Sequence, residues 1–144
     1  MRLFRLTWSK VFIDDYSLMD YLMDTHVFLW IASDPSRLSI SAAEACQAGQ
    51  LWLSVASIWE IAIKVQIGRL QIPAALQDFM GKHLRIGQIS VLPIHARHAF
   101  RQGELPLHHR DPFDRMLVAQ SLEESLPLIS RDPLLDAYPI ERVW

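Results

Sequence analysis

Five acidic residues stand where the sequence predicts the end of a strand or the start of a helix: Asp24, Glu60, Asp111, Asp114 and Asp132. Asp24 closes a short apolar stretch, and Asp132 lies two residues beyond another. If both stretches are strands of one parallel sheet, their carboxyl ends meet in the crevice where such sheets bind ligands. Asp111 and Asp114 open a helix that leads into the second stretch, so they should approach the same edge.

Carboxylates gathered at one point repel one another and raise each other's pKa values. A divalent cation relieves that repulsion, and oxygen ligands suit magnesium or manganese. A metal-bound water can attack a phosphodiester while the cation stabilises the charge that develops. Such a site requires no serine, cysteine or histidine nucleophile. The acids therefore predict a metal-dependent phosphodiester hydrolase.

Most of these acids also have a purely structural interpretation. Asp111 precedes a proline and is a good N-cap, and Asp114 three residues later resembles the partner in a capping box. Asp132 also precedes a proline and could begin a turn. Glu60 lies in a very apolar helix, where an unpaired carboxylate is costly, so it needs either a metal or a basic partner.

Short apolar strands alternate with amphipathic helices along the chain. Strands are predicted over residues 20–24, 51–54, 89–92 and 127–130. Helices are predicted over residues 26–30, 41–48, from 57 up to the glycine at 68, after 73, and over 95–102 and 111–124. This alternation is typical of an α/β fold, in which helices cover both faces of a parallel sheet.

Two of the helix starts are predicted from capping residues. Ser41, with Glu44 three residues later, is expected to form a capping box for the helix that ends at Gly49. Ser57 is expected to cap the next helix, which carries apolar residues at helical spacing and ends at Gly68.

The composition indicates one globular domain. The 144 residues are 51% apolar and 21% charged, which is typical of folded rather than disordered chains. The single cysteine, Cys46, excludes an intramolecular disulfide and suits a reducing compartment. No apolar run has the length of a membrane span, and the basic N-terminus lacks the pattern of a signal peptide, so a cytoplasmic location is predicted. The net charge of −2 provides no overall basic footprint for nucleic acid.

Residues 1–18 fit no predicted element. A clear pattern begins at Met19, and a second methionine follows at Met23. We therefore interpret residues 1–18 as an N-terminal extension, which an upstream start codon would explain, ahead of a nuclease-like domain over 19–144. Mass spectrometry of the natively expressed protein would contradict this if the chain began at Met1.

Four local sequences occur in order along most of the chain. They are MDTH at 23–26 with Leu29 and Trp30, SVASIWEIAIK at 54–64 with GRL at 68–70, LHHRDPFDRMLVAQ at 107–120, and LPLISRD at 126–132. Each is a weak signal by itself. Taken together, at these distances, they resemble the PIN-domain ribonucleases, and among those the bacterial toxins of VapC type.

The resemblance implies an α/β/α sandwich, magnesium or manganese as the cofactor, and endonucleolytic cleavage of RNA. It also implies a homodimer and a cognate antitoxin protein as partners. Matched by position, the family's four acids fall on Asp24, Glu60, Asp114 and Asp132. Asp114 is preferred over Asp111 because the helix that follows it keeps the family's spacing. Asp111, Thr25 and Ser130 would then support the ligands from nearby.

Two other functions are consistent with the sequence. One is a PIN-type nuclease of RNA processing or repair, and the other is a catalytically silent binding module whose acids are helix caps and turn residues. Growth arrest that a neighbouring gene's product relieves would favour the toxin over the processing nuclease. Near the acids, His108 and His109 are interpreted as loop residues that are either solvated or in weak contact with phosphate. Arg110, Arg115 and Arg131 are interpreted as partners of either a carboxylate or a phosphate.

Overall fold

Five short strands form one parallel sheet in the computed structural model, which describes residues 19–144. They are β1 (Asp20–Met23), β2 (Gln50–Ser54), β3 (Ile89–Leu92), β4 (Leu128–Ile129) and β5 (Arg142–Val143). Their order across the sheet is β3-β2-β1-β4-β5, and every neighbouring pair is parallel. The first four match the predicted strands, whereas β5 was not predicted. The proposed extension over residues 1–18 lies outside the described part of the chain.

Six helices connect and cover the strands. They are α1 (Thr25–Ser33), α2 (Ile40–Ala48), α3 (Val55–Gln66), α4 (Leu76–Gly87), α5 (Ala96–Glu104) and α6 (Pro112–Glu124). Two short 3-10 helices, Pro35–Arg37 and Pro133–Ala137, complete the described elements. Every predicted helix is present in the structure. Within residues 19–144, no helix has both the length and the apolar character to cross a membrane.

The strands supply two separate apolar cores because successive side chains point to opposite faces of a sheet. In β1, Met23 joins the core beneath α1 to α4, and Leu22 joins the core beneath α6. β4 divides in the same way, with Ile129 in the first core and Leu128 in the second. Helices thus cover both faces of a parallel sheet, which confirms the predicted α/β/α sandwich.

Two helices begin earlier than their capping residues predicted. α2 is capped by the side chain of Ser39, so the predicted capping box of Ser41 and Glu44 is wrong. α3 is capped by Ser54, the last residue of β2, and Ser57 lies one turn inside the helix. In both cases the serine closer to the preceding element has the extended backbone that an N-cap requires. The strand therefore passes directly into α3, which leaves Ser57 free to make a buried contact.

The strand order changes direction between β1 and β4. β2 and β3 lie on one side of β1, and β4 and β5 lie on the other. β1 and β4 are joined by hydrogen bonds from Leu22 N to Pro127 O at 2.9 Å and from Asp24 N to Ile129 O at 3.0 Å. Connections leave the two strands in opposite directions here, and such a switch point opens a crevice at the carboxyl ends. The residues that follow β1 and β4 therefore lie together at the mouth of that crevice.

Candidate metal centre

Asp24 follows β1 directly and begins α1. Its Oδ1 accepts a hydrogen bond from Val27 N at 2.9 Å, so the carboxylate caps the helix. The Ser130 hydroxyl donates to the same carboxylate, and Ser130 Oγ accepts in turn from the Asp132 amide at 3.1 Å. Burial raises the pKa of Asp24 despite these hydrogen bonds, and the nearby charge of Glu60 raises it further. The Asp24 carboxylate is therefore fixed by hydrogen bonds, while its burial disfavours the ionised form.

Glu60 reaches the same region from α3 and is also buried. Its Oε1 lies 2.6 Å from Thr25 Oγ1, and its Oε2 forms an ion pair with Lys64 Nζ at 2.8 Å. The carboxylate can only accept, so Thr25 donates to it. Ser57 Oγ lies 2.9 Å from Thr25 Oγ1 and completes a buried chain of hydroxyls. Lys64, one helical turn after Glu60, is therefore the basic partner that the sequence predicted as one possibility for this carboxylate.

Asp111 and Asp114 have different roles at the start of α6. Asp111 Oδ1 accepts hydrogen bonds from Phe113 N at 2.8 Å and from Asp114 N at 3.2 Å, so Asp111 is the predicted N-cap. The Asp111 amide donates to His109 Nδ1 at 3.2 Å, so Asp114 does not complete a capping box. Burial, followed by repulsion from Asp111, raises the pKa of Asp114 to about 7. Asp24 and Glu60 add to this repulsion, which indicates that the acids share one site.

Asp132 joins the cluster through a histidine that the sequence interpretation left aside. His109 Nε2 lies 3.0 Å from Asp132 Oδ2 and 3.3 Å from Asp114 Oδ2. The other Asp132 oxygen accepts from Leu134 N at 3.0 Å and caps the second 3-10 helix. His109 is mostly buried rather than solvated, so that interpretation was wrong. No spacing pattern pointed to it, because the contact depends on how the 105–111 loop folds back.

Arg115 stabilises that loop instead of pairing with a carboxylate or a phosphate. Its guanidinium is buried and donates to four backbone carbonyl oxygens, those of Gln102, Leu105, Pro106 and His109. It also donates to Tyr138 Oη at 3.2 Å, and that hydroxyl donates to Pro106 O at 2.7 Å. The Arg115 side chain therefore fixes the backbone of the loop that carries His109 and Asp111.

A cleft of about 400 Å³ opens over the acids. It is lined by Asp24, His26, Trp30, Asp114, Arg131, Asp132 and Pro133. Arg131 is exposed at the edge of the cleft. Of the three arginines predicted to bind a carboxylate or a phosphate, it is the one that lines the cleft. Trp30 is only partly buried, and its ring lies 5.9 Å from that of His26. The cleft thus combines three carboxylates with an aromatic wall and a cation.

The family model that matches this chain covers nearly all of the residues that the structure describes. The family description "PIN domain" matches residues 21–141, which is most of the chain. This chain belongs to the PIN domain family. The predicted family resemblance is therefore confirmed.

Proteins similar to this PIN domain include a ribonuclease and solved structures of VapBC proteins. Ribonuclease VapC22 from Mycobacterium tuberculosis is 28% identical over 131 residues, spanning 85% of this chain and 97% of the relative. A structure of VapBC2 from Rickettsia felis bound to a promoter DNA fragment has a TM-score of 0.64 at 13% identity, covering 88% of this chain and 100% of that chain. VapBC-5 from M. tuberculosis has a TM-score of 0.56 at 17% identity, covering 85% and 96%. At these identities the two structures show that the fold is shared.

The donor set of this PIN domain fits a divalent cation. Asp114, Asp132 and Asp24 line one cleft, and oxygen atoms of Asp114 and Asp132 lie within 4.8 Å of each other and of a ring nitrogen of His109. Burial is the main cause of the raised pKa values of Asp24 and Asp114, and the charges of neighbouring carboxylates raise them further, so a bound cation would favour the ionised forms. Oxygen donors of this kind suit hard cations, whereas a zinc site would normally recruit thiolate or several imidazoles. The chemistry of the residues therefore agrees with the metal dependence of the family.

Replacing Asp114 with asparagine should stabilise the metal-free protein, and increasingly so as the pH rises. The folded-state pKa of about 7 exceeds the ordinary aspartate value of 3.8, so between these values the folded state binds more protons than the unfolded state. Below pH 4, Asp114 is protonated in both states and does not lower the free energy of unfolding. As the pH rises, ionisation of Asp114 lowers the free energy of unfolding increasingly, and this effect levels off above pH 7. We expect the variant to gain up to about 4 kcal/mol at pH 8, because the shift spans about three pKa units and each unit is worth about 1.4 kcal/mol.

Urea unfolding with EDTA at pH 4.5, 6 and 8 measures this gain. Asp78→Asn is a suitable control, because Asp78 is an exposed acid in the first turn of α4. A gain for Asp114→Asn that is the same at all three pH values would contradict the raised pKa of Asp114.

Proposed function

We propose that this PIN domain is a metal-dependent endoribonuclease that acts as the toxin of a toxin–antitoxin pair. The observation that carries the proposal is the cleft at the switch point of a PIN fold, which is lined by Asp24, Asp114 and Asp132 and has the charge of Glu60 close enough to raise the pKa values of Asp24 and Asp114. Its relative VapC22 bears the name ribonuclease, and the similar solved structures include a toxin–antitoxin complex from Klebsiella pneumoniae.

The four acids are proposed to hold magnesium, with manganese as a substitute. The cation would supply an activated water and would stabilise the charge that develops on the phosphodiester. Thr25 orients Glu60 and Ser130 orients Asp24 by hydrogen bonds, and of these two carboxylates Asp24 lines the cleft. Asp111 is proposed to act on Asp114 only, by capping α6 and fixing where that side chain starts.

The walls of the cleft favour a single-stranded nucleic acid. Trp30 exposes part of its indole there, and Arg37 lies 5.0 Å above the ring at a position suited to a cation–π contact. Bases stack on aromatic side chains irrespective of sequence, while cations such as Arg131 contact the backbone. The choice of RNA over DNA follows the relative's name and not a feature of the cleft.

A cognate antitoxin and a second copy of the chain are the proposed protein partners. α3 exposes Val55 and Trp59 one turn apart, and the exposed fraction of Trp59 reaches 60%. Trp59 also makes an edge-on ring contact with Phe113 at 5.3 Å, so this apolar surface continues onto α6. Aromatic side chains of this kind are enriched in protein interfaces. The surface lies beside the acids, so a partner bound here would be near the cleft.

Cleavage of total tRNA, with magnesium or with EDTA, tests the proposed activity. The protein must first be freed of any co-purified antitoxin, because a bound inhibitor would hide the activity. Cleavage with magnesium alone is expected. If folded, antitoxin-free protein binds no divalent cation and leaves every RNA intact, the chain is a binding module and the proposal is wrong. Growth arrest on expression, relieved by the product of an adjacent gene, tests the toxin role separately.

A further inference from the structure

His109 has the position of a metal ligand. Its Nε2 atom lies 3.0 Å from Asp132 Oδ2 and 3.3 Å from Asp114 Oδ2, and the three atoms form a compact triangle. Judged by distance alone, a cation between the two carboxylates would take this nitrogen as a third donor. Coordination, however, requires a lone pair on Nε2 as well as proximity.

The other ring nitrogen decides where the imidazole proton lies. His109 Nδ1 accepts a hydrogen bond from the Asp111 amide at 3.2 Å, so Nδ1 carries no proton. The neutral ring then has its proton on Nε2, the atom that faces the carboxylates. An Nε2–H group can donate to Asp114 and Asp132 but has no lone pair to offer a cation. The tautomer therefore makes His109 a hydrogen-bond donor at this point.

The backbone around His109 resists a change of ring orientation. The His109 amide donates to Tyr138 Oη at 3.0 Å, and the His109 carbonyl accepts from Arg115 Nη1 at 3.3 Å. Only 12% of the side chain is exposed. To turn Nδ1 toward the acids, the ring would have to break its bond to the Asp111 amide, and that amide has no other partner within the capping turn.

We propose that His109 is a positioning residue, whose fixed Nε2–H group bridges Asp114 and Asp132 and holds their oxygen atoms at a separation suited to one cation. This inference rests on the proposed metal-dependent function. Asp132 is anchored at its other oxygen by the Leu134 amide, so the two hydrogen bonds together set the direction of its carboxylate. Removal of such supporting partners typically weakens metal binding by about 10- to 100-fold.

Two substitutions separate positioning from ligation, with Mn²⁺ as the probe. His109→Gln can place an amide N–H near the Nε2 position, whereas His109→Leu has similar bulk and no donor. Mn²⁺ affinity is measured by calorimetry for both variants, and pulsed EPR of the Mn²⁺-loaded protein reports whether a nitrogen is bound directly. His108→Leu is the matched control, because His108 is the exposed neighbour in the same loop.

The leucine variant is expected to bind Mn²⁺ about 10- to 100-fold more weakly, and the glutamine variant is expected to lose less than about tenfold. The wild type and the glutamine variant should give the same EPR spectrum, without a directly bound His109 nitrogen. A nitrogen coupling that disappears in the glutamine variant would overturn the inference, and so would unchanged affinity in the leucine variant. If the leucine variant does not fold, the EPR comparison alone decides.

Failure of the wider proposal gives a different result. If the wild type binds no Mn²⁺, then the proposed metal-dependent function is wrong and this inference falls with it. If the wild type binds Mn²⁺ and only the His109 variants behave unexpectedly, the metal site stands and the positioning role is rejected.

Discussion

Asparagine at position 24 is expected to lower magnesium-dependent RNA cleavage by about a thousandfold or more, a loss at the upper end of that seen when one electrostatic group is removed from an active site. Asp24 lies where β1 meets the crevice, and it lines the cleft beside Asp114 and Asp132. An amide keeps the volume of the side chain but removes its charge, so binding of a hard cation loses one anionic oxygen. The expected effect is on kcat at saturating magnesium, measured with the same RNA for both proteins.

The fold should not suffer from this substitution. Asp24 caps α1 through Val27 N, and asparagine is an equally good cap. Burial raises the pKa of Asp24, so removal of its charge should leave the thermal midpoint unchanged or raise it. Asp34→Asn is the matched control, because Asp34 is an exposed acid at the other end of the same helix. Equal cleavage by Asp24→Asn and wild type, at equal concentrations of folded protein, would remove Asp24 from the proposed ligands.

The sequence was sufficient to predict the elements that position these acids. Strands and helices of this fold bury continuous apolar stretches, so β1, β2, β3, β4 and all six helices could be recognised from composition and spacing. The rule that parallel strands open a crevice at their carboxyl ends then predicts that Asp24 and Asp132 lie together. That Asp111 is an N-cap also followed from local chemistry, because a proline at the first helical position follows it.

The contacts that the sequence did not reveal are those made between distant segments. Ser57 was interpreted as a cap because a serine before an apolar helix usually is one, but in the structure it contacts Thr25, 32 residues away. His109 and Arg115 depend on the path of the 105–111 loop, which no periodicity describes. β5 has only two residues, Arg142 and Val143, too few to produce an alternating pattern.

The difference has a physical basis in what each interaction requires. Burial of apolar surface is non-directional, so any apolar residue on the buried face of an element can provide it. Apolar residues therefore recur along the sequence with the period of that element. A hydrogen bond between side chains of different segments needs a particular distance and angle, and many residues that could make one do not. The residues around the proposed ligands, Thr25, His109 and Ser130, belong to this second class. Their roles depend on contacts between distant segments, which no local sequence pattern predicts.

Replacing Arg115 with methionine should destabilise the protein by about 2 to 4 kcal/mol, because several buried carbonyl groups lose their donor at once. Arg115 donates to four backbone carbonyls and to Tyr138, and no carboxylate shares the site with it. Methionine retains the apolar stem, so the lost packing is small and the lost hydrogen bonds dominate. Lysine should not rescue stability, since one ammonium group cannot reproduce the planar fork of a guanidinium. Urea unfolding with EDTA measures the effect without a contribution from bound metal.

Arg97→Met provides the comparison for the loss of an arginine by itself. Arg97 forms an ion pair with Glu124 and is about half exposed, so its replacement should cost less than about 1 kcal/mol. Because Arg115 holds the carbonyl of His109, the Arg115 variant should also bind Mn²⁺ more weakly than the Arg97 variant at a temperature where both are folded. Equal stability of the two variants would show that the loop holds its own shape. His109 would then owe its position to the Asp111 amide and to Tyr138 rather than to the arginine beneath it.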